Sequence, residues 1–299
     1  MSVKTKVKFG QNFLINKEIA EKIVESCNFT EDDNVVEIGP GEGVLTELIA
    51  NKVKNLTIIE IDPFYLSYVE GKLYSNNQNS NRQTEDKEKN KCNLKFFNID
   101  ALKFDFIEYS KSLNSKLRLI SNLPYEISSP IMEKFNREKD AFKDFTLMFQ
   151  KEFAGRLLAK NDESARSAFS VVVEANFETE LLFDVFKENF HPMPKVDSSV
   201  IKMTPLDLNK FEFEELKYAE DIKWAASSPY FSYLVHQLFK LRRKKLRNSI
   251  YASFQGIPPD VKAKMYEDSN IDLDKRPQSL TLQEFIKIAI KYRDYLGLE

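Results

Sequence analysis

The stretch Val35-Val36-Glu37-Ile38-Gly39-Pro40-Gly41-Glu42-Gly43 decides how the rest of the chain is read. Its first half is a short apolar, β-branched run, the signature of a buried strand. Its second half crowds glycines at positions 39, 41 and 43, and from Val44 to Val53 the apolar residues fall at helical spacing. Where a strand turns into a helix, glycine permits a tight turn and lets the backbone approach a ligand at the strand's carboxyl end. The spacing is G-x-G-x-G, which misses the G-x-G-x-x-G of dinucleotide binders.

Further along, Asn55–Asp62 (NLTIIEID) and Leu117–Pro124 (LRLISNLP) are again apolar and β-rich, and helical spacing returns at Ile131–Phe135 and Phe153–Leu158. This alternation predicts a mostly parallel, doubly wound α/β sheet of Rossmann-like form. Further strands are expected at Leu94–Asp100, Phe145–Gln150, Phe169–Asn176, Thr179–Val185 and Ser199–Met203. The last three are so close together that the sheet should end in an antiparallel hairpin. From about Phe211 helical periodicity takes over, at Tyr233–Phe254, Asp260–Tyr266 and Thr281–Tyr295. A boundary near Leu206 is therefore expected, with a catalytic domain over 1–206 and a smaller C-terminal α-helical domain over 207–299. Between Ser75 and Asn93 the only residue from the hydrophobic set is Cys92, so this stretch reads as a flexible surface loop.

Composition sets limits on class. With 42% hydrophobic and 30% charged residues over 299 positions, the chain is an ordinary globular protein with room for a sizeable core. No run approaches the ~18 apolar residues of a membrane span, and the first ten residues lack a hydrophobic signal core, so a cytoplasmic protein without membrane attachment is expected. Cys27 and Cys92 are too few for a cysteine-rich zinc site, and nothing in their spacing supports a disulfide. The net charge of −2 hides a patch: Lys240, Arg242, Arg243, Lys244, Lys245 and Arg247 crowd into eight positions, and Lys4, Lys6 and Lys8 form a basic arm. Such a run is either a solvated helix face or a phosphate-binding element.

Three consecutive strand ends carry groups suited to a nucleoside. The glycines follow the first strand, Glu60 ends the second, where a carboxylate can accept both ribose hydroxyls, and Asp100 ends the third, within reach of an adenine amine. No Lys-Ser/Thr phosphate cradle is present, so S-adenosylmethionine fits better than ATP or NAD. The fourth strand ends in Asn122-Leu123-Pro124-Tyr125. An exocyclic adenine amine is a poor nucleophile because its lone pair is delocalised into the ring. Acceptors aimed at its two N–H groups, the Asn122 side-chain oxygen and the Leu123 carbonyl, favour the pyramidal nitrogen that methyl transfer requires. Pro124 biases Leu123 away from helical geometry, and Tyr125 offers a face for an extruded base.

Taken together, Phe9–Leu14 (FGQNFL), EIGPGEG, IIEID, Asp100-Ala101, NLPYEISSP, Phe149-Gln150-Lys151-Glu152, FHPMPKVDSSV and Arg242–Ser249 (RRKKLRNS) resemble the small-subunit rRNA adenine N6,N6-dimethyltransferases, the family of the bacterial kasugamycin-sensitivity enzyme. The resemblance implies a Rossmann-like S-adenosylmethionine methyltransferase that acts as a monomer on small-subunit rRNA within a pre-ribosomal particle. It implies cofactor contacts at Gln11, Asn12, Leu14, Gly39, Gly41, Glu60, Ile61, Asp100, Ala101 and Asn122, and a second aromatic wall at Phe190 opposite Tyr125. One departure stands out. Ala165-Arg166-Ser167-Ala168-Phe169-Ser170 replaces the Tyr-Gly-Arg-Leu-Ser stretch common among relatives, which leaves the RNA contact of the usual arginine open. Two alternatives remain at this stage: a large-subunit rRNA adenine methyltransferase of the erythromycin-resistance type, and a non-catalytic RNA- or DNA-binding assembly or transcription factor on the same fold.

Overall fold

A computed structural model describes residues 12–80, 92–207, 216–253, 256–267 and 270–297. β1 (Phe13–Leu14) leads into α1 (Lys17–Ser26), whose cap Asn16 accepts from the Ile19 N–H. Then β2 (Asn34–Ile38), α2 (Val44–Ala50), β3 (Asn55–Glu60), α3 (Pro63–Ser80), β4 (Asn93–Asn98), α4 (Phe106–Ser112), β5 (Leu117–Asn122), α5 (Ser128–Glu138) and β6 (Phe142–Gln150) alternate strictly. α6 (Lys151–Leu158), α7 (Ala168–Glu174), β7 (Phe177–Val185), β8 (Phe190–His191) and β9 (Ser198–Pro205) follow. The described elements end with α8 (Leu216–Ser227), α9 (Pro229–Phe239), α10 (Leu246–Ser253), α11 (Pro259–Glu267) and α12 (Leu282–Leu296).

Seven strands form one sheet in the order β4-β3-β2-β5-β6-β9-β7. The pairs β3–β4, β2–β3, β2–β5 and β5–β6 are parallel, whereas β6–β9 is antiparallel, with Phe145 opposite Met203 and Gln150 opposite Ser198. The chain runs outward from β2 to β4 and then returns to lay β5 on the other side of β2. That reversal opens a crevice at the carboxyl ends of β2 and β5, where doubly wound sheets bind ligands. A small ribbon pairs Phe13 of β1 with His191 and Leu14 with Phe190 of β8.

Contacts divide the chain into two compact units, Met1–Ala154 with Glu180–Pro205, and Gly155–Thr179 with Leu206–Glu299. Sequence alone assigns 155–179 to the first 206 residues, but these positions cluster with the helical unit. In the sheet unit, one core gathers Ala20, Ile23, Val24, Leu45, Ile49, Leu56 and Ile58. A chain of aromatic contacts joins Phe97, Phe104, Phe106, Phe142, Phe145 and Phe135 at centroid distances from 4.4 to 5.1 Å. At the amino end of β5, the buried Arg118 guanidinium donates to Asp144 through Nε at 2.9 Å and Nη2 at 2.6 Å, and to Asp33 through Nη1 at 2.8 Å. Cys27 is buried and Cys92 half-buried, and both are free thiols.

Three expectations need correction. Phe169–Asn176, read as a strand, lies mostly in helix α7, because Ser167 and Ser170 form a reciprocal capping box that starts a helix there. Tertiary packing overrides the β preference of its three valines, since Ala168, Val171 and Ala175 repeat at helical spacing into the core with Phe231, Leu234 and Leu238. The stretch Tyr233–Phe254, read as one helix, is α9 and α10 separated by a turn at 240–245. There the N–H groups of Leu246 and Arg247 bond the carbonyls of Lys275 and Leu273 instead of those one turn back. The Ser75–Asn93 loop is shorter than expected at both ends, because α3 runs to Ser80 and β4 begins at Asn93; positions 81–91 lie outside the described residues.

Candidate active site

A cleft lies at the carboxyl ends of β2, β3, β4 and β5. Asn12, Leu14, Gly39, Gly41, Glu60, Ile61, Asp100, Ala101 and Asn122 all line it, as do Leu123, Pro124 and Tyr125. Gln11 lies outside the described residues.

Local rules explain why these groups converge. The Gly39 N–H donates to the Ile59 carbonyl at 2.9 Å, stitching the turn after β2 to β3. Gly41 has φ +55, and a Cβ there would stand 2.8 Å from Cδ1 of Phe13, so only glycine lets β1 close over the turn. Glu60 is buried, and its Oε1 accepts from the Asp62 N–H at 2.8 Å. Burial raises its pKa, opposed by the Asp62 and Ile61 N–H groups, and the Asp62 carboxylate adds to the rise. Asp100 is aimed by the Leu102 N–H, which donates to Oδ1 at 2.9 Å.

Asn122 ends β5, and its Nδ2 donates to the Asn12 carbonyl at 3.2 Å, which leaves Oδ1 as the free end of the amide. Ser121 beside it donates through Oγ to the Ile38 carbonyl at 2.6 Å, locking β5 to the end of β2. Leu123 is fully buried, so the chain direction at its carbonyl is fixed by packing. The Tyr125 hydroxyl shares a 2.8 Å hydrogen bond with Ser198 Oγ, which sets the ring's position against the start of β9.

Phe190 is not on the wall of this cleft. It is 3% exposed, pairs with Leu14 across the β1–β8 ribbon and belongs to the core behind the site. An aromatic residue flanked by short ribbon pairing is drawn into the core by its own area, so in this structure the only wall of the pair that faces the cleft is Tyr125.

Sequence reading also passed over Glu37, quoted only as the start of the glycine motif. It is 1% exposed, lines the cleft, and its Oε2 has no hydrogen-bond partner. Burial pushes its pKa up to about 8; the neighbouring Thr46 hydroxyl works against this and Glu60 adds to it. A carboxyl on a strand whose other buried residues are Val35, Val36 and Ile38 was the available signal, since such a group is costly unless something pairs with it.

The six cations of the Lys240–Arg247 run, expected as candidate RNA-binding residues, differ in their surroundings. Lys245 and Arg247 both pair with Asp274, Arg242 donates to the carbonyls of Ser164 and Arg166, and Lys240 donates to Gln237 at 2.7 Å. Arg243 and Lys244 are exposed on the turn. Arg166, from the departing Ala165–Ser170 stretch, is fully buried; it donates to the Leu280 carbonyl at 3.1 Å and pairs with Glu174 at 3.0 Å. It is a strut of the helical unit and reaches no surface where RNA could meet it.

Comparison with known proteins gives a consistent likeness. A family model described as ribosomal RNA adenine dimethylase matches residues 2–293. Proteins called ribosomal RNA small subunit methyltransferase A are similar along nearly the whole chain. The one from Legionella pneumophila is 33% identical over 282 residues, 94% of this chain and 95% of its own length. That from Malacoplasma penetrans is 34% identical over 96% of this chain and 92% of its own. Among solved structures, a dimethyladenosine transferase from Plasmodium falciparum superposes with a TM-score of 0.70 at 24% identity, covering 95% of this chain and 98% of that one. The 23S rRNA methyltransferase ErmE gives 0.63 at 20% identity over 94% and 99%.

Proposed function

The chain belongs to the ribosomal RNA adenine dimethylase family, and from that premise we propose that it transfers two methyl groups from S-adenosylmethionine to the N6 of adenines in small-subunit rRNA, within a pre-ribosomal particle in the cytoplasm. The observation that carries this reading is the convergence of Asn122–Tyr125 with Glu60 and Asp100 on one cleft.

The residues present suit this cofactor. Glu60 can accept the ribose hydroxyls and Asp100 the adenine amine. The glycine turn leaves no side chain between the ligand and the ends of β2 and β3. Glu37 Oε2, buried and without a partner, suits a cationic ammonium, and among the described residues no lysine lines the cleft. When bound, S-adenosylmethionine supplies a methyl group already activated on a sulfonium.

On the target side, Asn122 Oδ1 and the Leu123 carbonyl accept from the two amine N–H groups and favour the pyramidal nitrogen that attacks. Both acceptors act most strongly as positive charge develops, so they lower the barrier more than they tighten binding. Tyr125 offers its face to the flipped base, its ring held by Ser198. The alkylated amine loses its proton readily, so the site needs no histidine. After the first methylation one N–H remains, and one acceptor still engages it.

The test is to incubate undermethylated small subunits with the protein and isotopically labelled S-adenosylmethionine and to map methylated adenines. Dimethyladenosine in the small-subunit RNA supports the proposal; unlabelled small-subunit RNA, with label appearing only when large-subunit RNA is supplied in a parallel reaction, would overturn it. A non-catalytic relative on this fold would show no heat on titration with the cofactor.

A further inference from the structure

Helix α9 is two-sided. Phe231, Leu234, Val235 and Leu238 are buried in the helical unit's core, whereas Tyr230, Tyr233, His236 and Lys240 are exposed. The exposed set recurs three or four residues apart, so it forms one continuous stripe along the helix. Tyr230 is 39% exposed and Tyr233 48%, values that leave a face of each ring available to a partner. The stripe does not stop at the helix end. It runs into the 240–245 turn, where Arg243 and Lys244 are exposed and where Lys245 and Arg247 are already partly neutralised by Asp274. His236 is oriented by its own helix, with Nδ1 donating to the Ser232 carbonyl at 2.8 Å, which leaves Nε2 facing outward.

Two exposed tyrosines in line with cations is an arrangement that duplex binding does not use. Base faces in a duplex are already stacked on each other, and phosphates alone would be met by lysine and arginine without aromatic residues. Single-stranded segments, by contrast, are held by aromatic rings that take successive bases and by cations that follow the backbone.

We propose that the stripe of Tyr230, Tyr233, His236 and Lys240, continued by Arg243 and Lys244, is a docking surface for an unpaired RNA segment, whose bases stack on the two tyrosines while the cations meet its phosphates. This rests on the rRNA-modifying reading above and adds to it the part of the RNA that the helical unit holds: a loop or single strand. The same geometry gives each part a separate signature. The rings contribute affinity that depends on available base faces and is insensitive to salt, and Arg243 and Lys244 contribute affinity that falls as salt rises.

The experiment uses the full chain and a fluorescently labelled 12-nucleotide RNA of mixed sequence, alone and annealed to its complement, with affinity read by anisotropy over a salt series. The wild type is expected to prefer the single strand. Tyr233→Ala and Tyr230→Ala should each weaken single-strand binding roughly fivefold or more at every salt concentration and leave duplex binding unchanged. Tyr233→Phe, which keeps the ring, should bind like the wild type. Arg243→Gln with Lys244→Gln should instead flatten the salt dependence, by about 1.4 in the logarithmic slope for two lost single-strand phosphate contacts. Both rings are exposed, so the variants should keep the wild-type melting temperature and cofactor titration, which separates lost docking from lost folding. Wild-type single-strand affinity in Tyr230→Ala and Tyr233→Ala, equal losses for duplex and single strand, or a Tyr233→Phe variant as weak as Tyr233→Ala would each overturn the proposal. None of these outcomes depends on methyl transfer, so failure here is distinguishable from failure of the dimethyltransferase reading.

Discussion

Asn122 is held from one side only: its amide nitrogen is spent on the Asn12 carbonyl, and its oxygen is the group we propose for the substrate. Asn122→Ala should therefore lower single-turnover methylation by about a hundredfold or more, the loss expected for one preorganised partner, while RNA affinity changes little. Near wild-type rates would remove Asn122 from the chemistry. Asn122→Asp keeps the acceptor but sets a second oxygen against the Asn12 carbonyl, so it should also disturb β1. Glu37 carries a pH signature. Its folded-state pKa of about 8 lies above the ordinary 4.5, so between those values the folded protein binds more protons than the unfolded one. Its contribution to stability is then present below about pH 4.5 and is lost as pH rises towards 8. In the protein without cofactor, Glu37→Gln should flatten the fall in melting temperature over that window. A wild-type protein whose melting temperature already shows no difference from Glu37→Gln across the window would contradict this. A cationic ligand paired with Glu37 should bind more tightly as pH rises.

The elements that carry the site were legible in sequence because each is short, local and punctuated. β2, β3 and β5 read as apolar runs, and their carboxyl ends carry residues with few structural reasons to be there, namely Gly39 after β2, Glu60 closing β3 and Asn122 closing β5. What sequence missed depends on distant partners. The FSVVV run of α7 looks like a strand until the Ser167–Ser170 box and the helical core it enters are known. The basic turn looks like helix until its N–H groups are seen bonding three residues back and those of Leu246 and Arg247, opening α10, are seen bonding Lys275 and Leu273. The cap makes a clean test: Ser167→Ala should cost about 1 kcal/mol in urea unfolding and leave cofactor affinity unchanged. Gly41→Ala should do the reverse at the other unit's turn. It places a methyl against Phe13 at a backbone angle that favours glycine, so cofactor affinity should fall before stability does.

At the scale of the whole chain, stability and chemistry occupy opposite ends of the sheet. Arg118 lies at the amino end of β5 and Asn122 at its carboxyl end. Removing the guanidinium in Arg118→Ala leaves Asp33 and Asp144 buried without it and should cost on the order of 3 to 5 kcal/mol in urea unfolding, while the folded fraction still titrates with cofactor. Burial tends to raise the pKa of Asp33, but the Thr30 N–H and Arg118 outweigh it and hold it at about 2. The stability it lends is present above the ordinary 3.8 and is lost as pH falls towards 2, so Arg118→Ala should also blunt acid unfolding. The late strands have a consequence of another kind. β9 enters the sheet between β6 and β7, β8 pairs with β1 across more than 170 residues, and the hydroxyl partner of Tyr125 is Ser198. A nascent chain that has emerged only as far as β6 can form the parallel strands and the cofactor turn. Tyr125, which we propose faces the target base, gains its Ser198 partner only once residues 190–205 have been synthesised, so on that reading competence arrives in a single late step, and a truncated translation product should lack the finished wall.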